Sequence, residues 1–287
     1  MVIQNKEVSR KNDLEVLKVE GWNQYDWLLH GFSTRDGGVS QVYGGSTLNL
    51  GWTKEDDPAS VAENRRRFLA AVCGHHPGSV LVGAKQIHSN MVKAVKKEEG
   101  ALEGRLQTPD GKAVLEADGL ITDVPGVLLG VGTADCVPVL VADVAKRVVA
   151  AFHAGWRGTA SRIVEHGVAK MQEDYGSRAA DLVATVGPSI GPCCYTVGEE
   201  VGSEFGAQFD YSRELFTRSN ETGQTRLDLW EANRHQLLDA GLAEVSIVTL
   251  GECTACARSR TGASRYFSHR VERGNAGRML NVIGVTF

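Results

Sequence analysis

The feature that most constrains this chain is a series of strand-length apolar runs in which hydrophobic residues follow one another largely without alternation. They are Trp27 to Phe32, Val127 to Val131, Val137 to Val141, Val148 to Phe152, Leu182 to Val186, Val245 to Leu250 and Met279 to Phe287. A strand with one wet face alternates apolar and polar residues, whereas a continuous apolar run needs cover on both sides. At least one sheet is therefore expected in the centre with helices outside it, which places the chain in the α/β or α+β class.

The helices are marked by their ends. Asp57 stands as an N-cap, Pro58 takes the first helical position, Val61, Phe68, Leu69 and Val72 share a face, and Gly74 is the stop. Asp228 and Glu231 form a capping box at the head of a run that reaches Gly241, and Val197, Val201 and Phe205 at i, i+4, i+8 mark a third helix. The charged segment Lys96 to Ala117 reads as a surface hairpin or loop. With no repeat or low-complexity stretch, a single domain over residues 1–287 is expected.

Charge and hydropathy then exclude whole classes of partner. Thirty-one basic side chains against 35 acidic ones give a formal charge of -4, so no net basic field draws the chain to nucleic acid or an anionic membrane. The opening MVIQNKEVSRKNDLEV has no apolar core of a signal peptide, and no stretch reaches the roughly 18 to 20 apolar residues of a membrane helix. A cytoplasmic protein is expected. The six cysteines are too few and too uneven for a disulfide framework and are read as thiols. Cys253 and Cys256 form a CxxC, which could be half of a structural zinc site or a redox pair. Lacking a second CxxC or a neighbouring His pair, it reads more simply as loop thiols.

The chemically informative stretch is VGTADCVPVLVADVAKRVVAAFHAGWRG from Val131, two β-rich runs around the turn Asp143 to Lys146. Centring that turn between Val144 and Ala145 sets Cys136 directly opposite His153, on one face and about 4.5 to 5.5 Å apart at Cβ. A one-residue slip would put them on opposite faces. The plainer alternative is a buried small thiol and a hydrogen-bonded core histidine. Against it, Cys136 lies outside the regular strand, and His153 opens the turn AGWRG before a helix expected near Thr159. Free N–H groups there, with Arg157, make a candidate pocket for phosphate or carboxylate; a solvated Arg157 in a structural turn is the alternative.

His88 in KQIHSN is the third candidate ligand. The remaining histidines are poorer: His75 and His76 lie beyond a helix end, His166 and His235 within helices, and His30 in an apolar run, while His269 stays open. Two imidazoles and a thiolate suit Zn²⁺ and leave a fourth position for water or substrate, the mark of a catalytic site.

Taken in order, HGFSTRDGGVS, STLNLG, DDPASVAENRRRF, KQIHSN, ADGLITD, TADCVPVL, AFHAGWRG, VGPSIGPCCYTVG and FSHRVERGNAGRM span nearly the whole chain. The chain thereby resembles the bacterial laccase-domain or multicopper polyphenol oxidase family, also called the peptidoglycan editing factor or zinc purine nucleoside phosphorylase family. The resemblance implies an αββα sandwich with mixed central sheets and outer helices, and zinc on His88, Cys136 and His153. It also implies Arg35 and Asn49 as substrate-side residues. Where the family tends to have a tyrosine and paired arginines with an acidic residue, this chain has His269, Arg270, Val271 and Glu272.

The activity this implies is phosphorolysis of purine nucleosides (adenosine, inosine, guanosine, methylthioadenosine), with adenosine deamination as a companion. Its partners would be nucleoside and phosphate, in a monomer or homodimer. A second reading makes Cys136 a nucleophile, His153 its base and His88 or Asp135 the orienting group, editing an amide in a peptidoglycan precursor. Copper-dependent oxidation of phenols fits less well, because eight scattered histidines are a poor match to paired copper ligands. A non-catalytic metal-binding module would show binding without turnover.

Overall fold

The computed structural model describes residues 6–11, 14–74, 76, 78–219 and 223–287. The expected central strands form two six-stranded mixed sheets. In spatial order the first sheet consists of Lys6–Lys11, Leu14–Val19, Leu28–Ser33, Met279–Val285, Val127–Thr133 and Val80–Gly83. The second consists of Ile247–Thr249, Leu182–Val186, Val137–Asp143, Val148–Ala154, Gly119–Thr122 and Val92–Ala94. A small three-stranded sheet completes the described strands in sheets.

Consecutive apolar residues serve two cores. Leu140 and Ala142 turn inward with Leu120, Val149 and Ala151 and meet Leu17, Phe32, Leu129 and Ile283 of the first sheet. Val139 and Val141 turn outward with Phe152, under helices α3 (Ile163–Tyr175), α4 (Glu199–Gln208) and α5 (Leu229–Asp239). On the far side of the first sheet, Val16, Leu29, Leu128 and Val282 pack on Phe68 and Val72 of α1 (Pro58–Cys73). Helix, sheet, sheet and helix thus stack as the resemblance implies. Burying each of these aliphatic side chains contributes roughly 1.5 to 3 kcal/mol before entropy is subtracted.

Helix α1 begins where expected. The Asp57 carboxylate accepts the Ala59 and Ser60 N–H groups, and Gly74 ends the helix at φ 55°. At α5 only half of the capping box forms: Asp228 accepts the Glu231 N–H at 3.0 Å, while the Glu231 carboxylate turns to Arg234 and His235. Val197 falls outside α4, in the two-residue strand before it. Val245 is 93% exposed, in a short 3-10 turn rather than the strand. The segment from Lys96 to Ala117 is a loop as expected, yet Ala101, Leu106 and Ala117 anchor it in the inter-sheet core.

The central hairpin departs from the expected register. Its loop runs from Val144 to Arg147, because Asp143 Oδ1 accepts the Ala145 and Lys146 N–H groups and Arg147 adopts φ 57°. Asp143 therefore pairs with Val148 and Pro138 with His153. Cys136 is not the residue across from His153. The shift is two residues, so the face is preserved; a ladder continued one step would set Gly155 opposite Cys136.

Candidate metal centre and cleft

His153 is buried near the end of a central strand, and the neighbouring strand supplies what fixes it. The His153 N–H donates to the Asp118 carbonyl at 2.7 Å, and its Nδ1 is 2.9 Å from Asp118 Oδ1. That leaves Nε2 as its free donor atom. Asp118 is wholly buried just before the strand Gly119–Thr122. Its carboxylate also accepts the backbone N–H groups of Ile87, His88 and Ser89 and the Ser89 hydroxyl. One carboxylate thus orients His153 and pins the loop that presents His88, itself at φ 58°. Motif reading passed over Asp118, although it stands in ADGLITD; an acidic residue leading directly into a buried strand was the available signal.

The donor atoms of His88, Cys136 and His153 lie within 4.8 Å of one another, and the two imidazole centroids are 5.0 Å apart. Gly155 makes room for them: a Cβ there would come within 3.1 Å of Cys136 Sγ and 3.3 Å of His88 Cδ2. The following helix α2, Trp156–Ala160, starts earlier than Thr159, with Gly155 as its N-cap.

Asp118, His153 and Cys136 each shift the ionisation of a neighbour. Burial pushes the Asp118 carboxyl up, yet hydrogen bonds from His153 and Ser89 hold it down at about 2. Burial lowers His153, but the Cys136 sulfur and Asp118 raise it to about 9. Burial likewise opposes ionisation of Cys136, and His153, then His88, bring it down to about 6. His153 thus stands between the Cys136 sulfur and the Asp118 carboxylate. A divalent cation suits this donor set: two imidazoles, one thiolate, and a carboxylate on the far nitrogen of one ring.

The three residues stand in a cleft of about 490 Å³ whose wall also includes Arg157, Tyr195, His269, Arg270 and Arg278. That is the size of a small-molecule site. Arg157 is exposed, with its guanidinium 4.3 Å from the Trp156 ring centroid. His269, left open by the sequence, joins this wall.

Arg35 and Asn49 do not line the cleft. Arg35 pairs with Glu272 at 2.8 Å, donates to the Tyr43 carbonyl and stacks on Phe267. Asn49 is fully buried; it donates to Asp56 at 2.7 Å and accepts the Arg278 N–H at 2.9 Å. Asn49 does touch a residue of the wall, through the Arg278 N–H. Asp135 likewise does not orient His153. It sits at φ 87° with its carboxylate taken by the Thr254 and Ser268 hydroxyls and the Arg270 N–H.

The other histidines are accounted for locally. His30 accepts the Val19 N–H, His166 meets Asn90, His235 stacks on Tyr211, and His76 is exposed, while His75 lies outside the described residues. Among the described residues no helix is long and apolar enough to cross a membrane.

Residues 29–286 match the family described as Multi-copper polyphenol oxidoreductase laccase. The purine nucleoside phosphorylase YlmD of Geobacillus stearothermophilus is 38% identical over 254 residues, covering 88% of this chain and 89% of the relative. The adenosine deaminase RL5, from an unknown prokaryotic organism, is 34% identical over 89% of this chain and 93% of its own. The crystal structure of YlmD from Geobacillus stearothermophilus superposes with a TM-score of 0.84 at 33% identity, covering 99% and 100% of the two chains.

Proposed function

From its membership of the multi-copper polyphenol oxidoreductase laccase family, to which the chain belongs, we propose that it is a zinc-dependent enzyme that phosphorolyses purine nucleosides. His88, Cys136 and His153 are its metal ligands. The observation that carries this reading is the convergence of those three donors, oriented by Asp118, at the wall of a cleft that also presents three arginines. Purine nucleoside phosphorylases and an adenosine deaminase among the relatives support the substrate class.

Phosphorolysis joins a phosphate oxygen to the sugar C1′ while the bond to the base nitrogen breaks and the base leaves with its electron pair. The residues must hold a dianion beside the sugar and supply a proton to the departing base. Arg157, Arg270 and Arg278 provide the positive wall for phosphate. Arg270 is aimed by two contacts, its N–H on Asp135 at 2.7 Å and its Nη1 on the Thr196 carbonyl at 2.8 Å. Asp135 has its oxygens engaged, so His269 and Tyr195 are the proton donors that the wall offers. When bound, zinc would fix Cys136 as the thiolate and offer an electrophilic centre at its open position. Adenosine deamination at the same site is the companion activity, supported by the relative RL5.

A Cys136–His153–Asp118 alignment also has the form of a cysteine hydrolase, with Asp118 in the orienting place. One experiment separates the readings. Metal-quantified protein is incubated with adenosine, with and without phosphate, and adenine, inosine and hypoxanthine are measured. Phosphate-dependent adenine is expected. Inert behaviour toward every purine nucleoside, with metal present, would reject the proposal.

A further inference from the structure

The structure supplies the half-site that the CxxC lacked. The sulfurs of Cys193, Cys194, Cys253 and Cys256 all lie within 4.8 Å of one another, with Cys193 and Cys256 at 3.6 Å, and all four are free thiols. A tetrahedral ion with metal–sulfur bonds of about 2.3 Å separates its sulfurs by about 3.8 Å, which the Cys193–Cys256 pair matches and which no other pair exceeds by more than about 1 Å. We propose that these four cysteines form a second, structural zinc site, distinct from the centre in the cleft and closed to substrate.

Two further observations point the same way. Cys253 Sγ accepts the Gly191 N–H at 3.2 Å, a hydrogen bond that crosses from one loop to the other. An amide N–H donated to a ligand sulfur is the kind of contact that the outer shell of a metal site supplies. The first loop is also packed tightly, against Trp230 of α5 and then against Cys253 of the second loop. A Cβ at Gly191 would lie 2.6 Å from the Trp230 ring and 3.3 Å from the Cys253 Cβ. Greasy packing does not explain the cluster, since Cys193 and Cys256 are exposed.

The site would clasp two loops that follow neighbouring strands of the second sheet, Leu182–Val186 and Ile247–Thr249. Those loops already touch through the Ser189 N–H on the Glu252 carbonyl and the Thr254 N–H on the Ser189 carbonyl. Between them they hold Asp135: the Ile190 N–H donates to its carbonyl and the Thr254 hydroxyl to its carboxylate. The first loop also carries Tyr195 into the cleft wall. The ion therefore braces the scaffold behind the cleft without entering it.

This inference does not rest on the nucleoside reading and fails separately from it. Protein purified without chelators is assayed for zinc, then reloaded with cobalt(II). About two equivalents of zinc per chain are expected, falling to about one in Cys193→Ser/Cys256→Ser and to about one in His88→Ala. Cobalt in His88→Ala should keep the intense sulfur-to-metal absorption of a four-thiolate site, and the double cysteine variant should lose it. In the wild-type protein, Cys193 and Cys256 should resist alkylation until the metal is stripped. A single equivalent of zinc that His88→Ala abolishes, free alkylation of both thiols in the metal-loaded protein, or a Cys193–Cys256 disulfide in fresh protein would each overturn the site.

Discussion

The cleft and the clasp gather sulfur in different company. At the cleft, Cys136 meets two imidazoles, one held by a buried carboxylate, and the rest of its surroundings is a cavity wide enough for a small molecule. At the clasp, four sulfurs face one another, with the Gly191 N–H on the Cys253 sulfur. A mixed set of three donors leaves a metal with an unfilled position, whereas four thiolates fill a tetrahedron. The same residue type thus builds reactivity in one place and rigidity in the other, and the neighbours decide which.

The contrast is tested most severely at His153. His153→Ala removes a ligand and one of the hydrogen bonds to Asp118, and kcat/KM for adenosine phosphorolysis should fall on the order of 10³-fold, from the loss of several kcal/mol of transition-state stabilisation. An active His153→Ala protein would put the chemistry elsewhere. Asp118→Asn probes the support behind the ligand: metal affinity at the cleft, read by competition with a chromophoric chelator, should weaken about 10- to 100-fold. The clasp should be unmoved by that change, and equal weakening of both sites would merge what is here kept apart.

A smaller effect separates a ligand histidine from a packed one. Burial first, and Lys18 second, lower His30 to about 3, while His153 is raised to about 9. His30 is neutral in the folded chain, so its contribution is intact above about pH 6.5 and declines as the unfolded chain takes up a proton that the folded chain refuses. Between pH 7.5 and 5, the stability advantage of wild type over His30→Phe in urea titrations should shrink by about 2 kcal/mol. A gap that stays constant would mean that His30 is protonated in the folded state.

The legible parts of the sequence were those with local causes. Asp57, Pro58 and Gly74 delimit α1 because capping acts within one turn. The three ligand candidates could be named because two flank a single hairpin, and a two-residue error in register left their shared face intact. Asp118 was missed because a carboxylate declares its role only through partners at residues 87 to 89 and 153. Arg35 and Asn49 stand in motifs beside the site, and local pattern does not tell whether such a residue lines the cleft or packs next to it. The CxxC read as ordinary loop thiols because its complement lies some 60 residues earlier, across a contact that only the parallel pairing of two strands creates.

The strand Met279–Val285 stands between Leu28–Ser33 and Val127–Thr133, in the middle of the first sheet. During translation the sheet therefore waits, split in two, until that strand has left the ribosome. The segment bearing Glu252, Cys253, His269 and Arg270 emerges just before it. Such long-range closure makes for slow folding, and it means that a nascent or prematurely terminated chain would hold the hairpin of Cys136 and His153 without the part of the cleft wall that His269, Arg270 and Arg278 supply.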